Sequence, residues 1–138
     1  MHLTPSAARV RRQWVAAWSG GALIGVGNGV LREVTFARVL GPRAAHAASG
    51  ATAIAAFAGC FSVLERRWPI PTRGEALRIG AWWLAMTVAF EFGFGHAVVK
   101  QSWRELLADY DLRAGRTWPL VLAWIALGPA VVREVRAR

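Results

Sequence analysis

The chain has 138 residues, 55% hydrophobic and only 18% charged, with 17 Lys+Arg against 8 Asp+Glu and a formal net charge of +9. Its length suits one domain, and its composition excludes a disordered chain, a disulfide scaffold and a collagen-like repeat. The basic excess alone would suggest nucleic acid, but the charges stand in clusters between long uncharged runs, which points to membrane lipid and to no nucleic-acid partner.

Counting between charges gives the helices. A hydrocarbon core of about 30 Å takes about 20 residues of helix, with about 17 as the lower limit. The first run, between Arg12 and Arg32, has 19 uncharged residues and predicts a transmembrane helix over 14–32. Trp14 and Trp18 open it, at the headgroup level that tryptophan prefers. Gly21, Gly25 and Gly29 recur at i, i+4 and i+8, a seam that lets another helix approach closely. Intramolecular packing is the first reading of that seam and a homodimer contact the second. Asn28 and Arg32 fall within about 60° of it on an ideal helix, so they face protein rather than lipid.

The second run, from Arg43 to Glu65, has 21 residues and predicts a helix over 44–64. Pro42 stands just before it, where a missing N–H costs nothing. The stripe Ala45, Ala48, Thr52, Ala56 and Gly59 is the expected partner of the glycine seam, and Cys60 has no second cysteine to pair with. Trp68-Pro69-Ile70-Pro71 then makes a stiff loop, and Thr72 with Glu75 fits a capping box. A third helix follows over 77–98, with 21 residues between Arg78 and Lys100 broken by Glu91, and with Trp82 and Trp83 near its start.

A second capping box, Ser102 with Glu105, opens the third loop. Trp103, Leu106, Leu107 and Tyr110 follow at helical spacing, which predicts a short amphipathic helix lying in the interface. The last run, from Arg116 to Arg133, has 16 residues and predicts a helix over 117–133, its flanking arginines snorkelling to the headgroups. Trp118 opens it and Trp124 sits at mid-span. The expected fold class is all-α: a polytopic membrane protein built as an antiparallel four-transmembrane-helix bundle, with the interfacial helix between helices three and four. Residues 1–138 form a single integral membrane domain in this reading.

Polar residues gather toward one membrane face, because the first and third loops must share a side. Asn28, Arg32 and Glu33 end the first helix, His46 opens the second, and Glu91 and His96 lie late in the third. The third loop adds Asp109, Tyr110, Asp111, Arg113 and Arg116. Glu91 is the sharpest signal. Lys100 lies nine residues beyond it, about 13 Å of helical rise, so Glu91 is well inside the hydrocarbon. An acidic side chain there costs about 2.5–3.5 kcal/mol to insert. It reads either as a proton-carrying or cation-binding carboxylate, or as a structural group paired with, for instance, Arg32. His96, five residues on, points about 140° away from Glu91 and reads better as a loop contact. His46 meets either headgroups or a ligand, and Asn28 is helix glue or a ligand donor.

Asp109, Asp111, Arg113 and Arg116 read as a rim or lid over this cluster, or simply as solvated charges. The sequence lacks an H-x-x-x-H or C-x-x-C spacing, a nucleotide pattern, a Gly-rich phosphate loop and a Ser-His-Asp arrangement, so no metal and no cofactor is expected. The opposite face offers mainly arginines, among them Arg66, Arg67, Arg73 and Arg78, suited to anionic lipid headgroups. With both termini in the cytoplasm the cytoplasmic segments hold 10 Lys/Arg against 7, which sets that orientation. Asn28 and several glycines interrupt the first apolar run, which argues against a cleaved signal peptide. One Lys against 16 Arg points to a GC-rich genome, hence to a bacterial cell membrane.

Three functions fit. The first is a polar pocket, with Glu91 and Asn28 as floor and Arg32, Glu33, His46 and His96 as rim, binding or transporting a small polar solute or ion. That version calls for a homo-oligomer. The second is an accessory subunit that holds a partner membrane protein through Gly21, Gly25 and Gly29. The third is a membrane-surface enzyme acting on a lipid-like substrate, with Glu91 or His96 as the acid–base group.

Overall fold

The computed structural model describes residues 6–108 and 110–138. Asp109, one of the expected rim residues, lies outside them. Helix α1 runs unbroken over Ala7–Val39, 33 residues, with a π turn at Arg32–Phe36. It is followed by α2 (Pro42–Arg67), α3 (Arg73–Ala97), a short α4 (Trp103–Ala108), a 3-10 turn at Leu112–Ala114, and α5 (Trp118–Ala137).

The fold is all-helical, and α1, α2 and α5 are long and apolar enough to cross a membrane. The sequence suggests four such spans. Helix α3 has the length, 25 residues, but carries Arg73, Glu75 and Arg78 at its start and Glu91 toward its end.

The ends of the helices follow local chemistry rather than hydropathy. Ser6 caps α1 by accepting the N–H of Arg9 at 3.2 Å, so the helix begins seven residues before the expected 14 and ignores Arg9, Arg11 and Arg12. It continues to Val39 because no proline or chain break intervenes before Gly41-Pro42. Thr72 caps α3 through the Glu75 N–H at 3.1 Å, and Ser102 caps α4 through the Glu105 N–H at 3.2 Å. The Glu75 carboxylate does not return to close its box. It turns instead to Arg11 at 3.1 Å and Arg78 at 3.2 Å.

Helix α1 packs on α2 and α3, and α5 also packs on α2 and α3, with α3–α5 the most extensive contact. Thus α2 and α3, although consecutive, stand diagonally across from one another. Parallel neighbours result: Trp14 of α1 meets Trp83 of α3 level for level, and Phe61 of α2 meets Gly128 of α5. At the α3–α5 crossing a Cβ on Gly80 would lie 1.8 Å from the Ala126 carbonyl oxygen, so the two backbones touch there.

The core occupies the half of the molecule near the termini and the second loop. Trp14, Phe61 and Trp83 are fully buried at its centre, with Val10, Phe57, Ile79 and Ile125 around them. Phe61 meets Trp83 edge-on at 5.1 Å and Trp14 at 5.9 Å. Such ring pairs contribute about 0.5–1.5 kcal/mol each beyond their buried area. Both indole N–H groups are satisfied, Trp14 on the Trp68 carbonyl at 3.0 Å and Trp83 on the Trp14 carbonyl at 2.9 Å. Trp14 and Trp83 are therefore core residues and not the interfacial anchors the sequence suggests; Trp82 is half exposed.

The arginine-rich end is knitted by carboxylates. Glu65 is buried and accepts the Ile70 N–H at 3.0 Å. Glu134 binds Arg73 and Arg133, each at 3.0 Å, and Arg133 also donates to the Ile70 and Pro71 carbonyls. Arg73 and Arg78 have these protein partners and are still largely exposed, as are Arg66 and Arg67.

Candidate functional site

At the other end the long helices part around a cavity of about 240 Å³. Helix α1 contributes Trp18, Gly25, Asn28, Gly29 and Arg32; α2 contributes His46, Ser49 and Gly50; α3 contributes Thr87, Phe90, Glu91 and Phe94. Gln101, Arg116, Thr117 and Trp118 complete the wall. The fully buried ring of Trp83, with Phe57, forms the floor toward the core.

The Glu91 carboxylate is fixed by two aromatic donors. Its Oε2 accepts the Tyr110 hydroxyl at 2.8 Å and the Trp118 indole N–H at 2.7 Å. Tyr110 is itself held in a line of stacked rings: Tyr110 on Phe92 at 5.9 Å, Phe92 on Trp103 at 6.0 Å, and Trp103 on His96 at 4.1 Å. Helix α4 and the loop after it are thereby tied to the outer side of α3.

His96 belongs to that stack and not to the cavity. Its Nδ1 donates to the Gln101 carbonyl at 3.0 Å, an orientation that fixes the proton on Nδ1 because a carbonyl only accepts. Helix α3 is unbroken from Glu91 to His96, and five residues of helix keep the two about 140° apart.

On the opposite wall, Asn28 Nδ2 donates to the Ser49 carbonyl at 3.0 Å and hydroxyl at 2.8 Å, binding α1 to α2. Its Oδ1 is buried without a partner. An unmet acceptor in such a place costs about 1–3 kcal/mol. Arg116 donates to His46 Nε2, which makes that nitrogen an acceptor and places the ring proton on Nδ1. Thr117 donates to the His46 carbonyl at 2.6 Å. Arg32 reaches Glu33 at 3.8 Å, so its carboxylate partner is not Glu91. Glu33 is 72% exposed and lies off the cavity, where one further residue of helix has rotated it outward.

The rim is divided. Asp111 caps the 3-10 turn by accepting the Arg113 N–H at 3.1 Å, and the Arg113 carbonyl accepts from Arg43 at 2.6 Å. Arg116 alone of the described third-loop charges lines the cavity.

The glycine seam serves two purposes. A Cβ on Gly21 would meet the Trp83 ring at 2.5 Å, so this glycine allows close approach of α1 to α3. Gly25 and Gly29 have nothing within 4 Å of a Cβ and line the cavity. The expectation of one continuous packing seam is corrected at these two positions. The α2 stripe is corrected too: Thr52, Ala56 and Gly59 are exposed, and the buried face runs through Ala45, Ser49, Ala53 and Phe57. Phe57 and Phe61 pull that face toward the core because they bury far more surface than alanines do.

Trp118, expected as an interfacial anchor, lines the cavity, as do Ser49 and Thr87, which carry no signal of their own in the sequence. A carboxylate at membrane depth needs donors, and of the first three indole and phenol donors that follow Glu91, Trp103, Tyr110 and Trp118, the last two supply them. Among the described residues no group of His, Cys, Asp and Glu could hold a metal ion. No protein-family model matches the chain, no curated protein is recognisably similar to it, and no solved structure matches it.

Proposed function

We propose that this chain is a small multi-pass membrane protein whose cavity binds a small polar-headed solute or ion, with Glu91 as the proton- or cation-linked carboxylate during transport. In this reading α3 is the fourth span of an up-and-down bundle with two parallel contacts among its neighbours, α4 lies in the interface, both termini are cytoplasmic, and the membrane is a bacterial plasma membrane. Two copies or more complete the transport path, since four short helices enclose little of one alone.

The observation that carries the reading is the convergence of Glu91, Asn28, Arg32, His46 and Arg116 on one cavity, with the Asn28 acceptor left unmet. Polar groups are costly at membrane depth and mark solute or ion pathways when they face an interior space. The scaffold alternative draws less support, because Gly25 and Gly29 face that space instead of offering a packing seam.

The test is native mass spectrometry of the protein released from lipid nanodiscs, wild type beside Glu91→Gln. The expected result is an oligomer carrying a bound molecule or ion that the variant loses. A bare monomer, identical in both proteins, overturns the proposal.

A further inference from the structure

Of the residues lining the cavity, three are exposed: Val26 at 46%, Phe94 at 42% and Val99 at 54%. A residue that both lines a cavity and lies on the surface marks the mouth. All three are apolar, and they belong to α1 and to the end of α3 and its following turn. The mouth therefore lies between these two helices.

The contacts of α1 say why. Its bonds to α3 stop early in the helix: Gly21 lies against Trp83, the Trp18 indole donates to Thr87 Oγ1 at 3.0 Å, and Trp18 meets Phe90 edge-on at 5.7 Å. Two turns after Gly21, α1 leans on α2 through Asn28 and Ser49. Among the four interfaces of the long helices, α1–α3 is the least extensive. Gly25 and Gly29 fall where the two helices have separated, with nothing within 4 Å of a Cβ, and the stacked pair Phe90–Phe94 stands on the α3 side.

Resting on the function proposed above, we infer that the solute is an amphiphile that enters sideways from the bilayer through this α1–α3 cleft. A mouth open to water would be rimmed with polar groups; this one presents valine and phenylalanine. The cavity, about 240 Å³, is smaller than the about 300–1,000 Å³ typical of sites that enclose a drug-sized molecule. It has room for a head with N–H or O–H donors, which Glu91 would accept, and for the first part of a tail. The remainder of the tail stays in the cleft and the lipid beyond it.

The experiment places a nitroxide at Gly25→Cys or Gly29→Cys in a Cys60→Ala background, in nanodiscs, and compares collision with molecular oxygen and with a water-soluble nickel chelate. The glycines have space for the label, and Gly59→Cys on the outer face of α2 serves as the lipid-exposed reference. Oxygen access severalfold above chelate access, as at the Gly59 position, is the expected result. Chelate access equal to or above oxygen access overturns the lateral opening, even where the mass spectra still show a molecule lost in Glu91→Gln; the solute is then water-borne. Lipid-like access with no bound molecule in either protein overturns the function and this inference together.

Discussion

The two halves of this molecule use the same four long helices for opposite ends. Near the termini, Trp14, Phe61 and Trp83 close the centre completely and both buried indoles are hydrogen-bonded. Toward the first and third loops, glycines take the positions where a neighbour would pack, and an asparagine oxygen is left without a donor. The difference lies in what stands at corresponding turns of α1: a side chain at Gly21 would meet Trp83, whereas one at Gly25 or Gly29 would meet open space. Stability is concentrated in one half, and the other half is released from packing to hold a cavity lined with polar groups, a division expected where binding regions are drawn from the less stable part of a fold.

The comparison breaks most visibly at its centre. Trp83→Ala should cost about 3–5 kcal/mol by removing a fully buried aromatic, read as loss of folded protein in a thermal denaturation series in detergent. A loss as small as that at an exposed position would show that the ring cluster is not the core. Gly21→Ala comes next, at about 1–3 kcal/mol, because the added methyl meets the Trp83 ring. Preserved stability there would mean that α1 and α3 are not in contact at this level.

Glu91→Gln should leave the melting temperature nearly unchanged, since the amide oxygen still accepts from Trp118 and Tyr110. It should weaken retention of the bound solute by at least about tenfold, equivalent to about 1.4 kcal/mol. Unaltered retention would confine Glu91 to a structural role. The smallest effect has the opposite sign: Gly25→Ala and Gly29→Ala should each stabilise the protein by about 0.5–1 kcal/mol, the gain of replacing a mid-helix glycine where nothing obstructs the methyl. Destabilisation at these positions as at Gly21 would restore the continuous seam and remove the contrast between the halves.

How much of this was legible in the sequence depends on the physical scale of the question. The four long helices were legible, because each needs an uncharged run of a length set by the bilayer. Their ends were less so: α1 exceeds its expected span by seven residues on each side, since hydropathy reports where hydrocarbon ends and not where hydrogen bonding ends. The gathering of Glu91, Asn28, Arg32, His46 and Arg116 at one level followed from loop connectivity alone. Membership of the cavity wall did not, because one residue of helix is a rotation of about 100°: Arg32 lines the wall and Glu33 beside it does not. Trp14, Trp83 and Trp118 misled for a related reason. An indole ring satisfies either an interface or a core, and only its tertiary neighbours decide between them.

The diagonal placement of α2 and α3 carries a consequence for biogenesis. The chain is two helical hairpins, α1–α2 and α3–α5, joined by the strap at residues 68–72. The second hairpin holds the most extensive contact within itself, whereas the centre of the core is made between hairpins, with Trp83 of one lodged against Trp14 and Phe61 of the other. The centre of the core can thus form only once both hairpins are in place, in keeping with helices that enter a bilayer first and associate afterwards. A strap this short keeps the halves at high effective concentration, so their docking is an encounter within one chain.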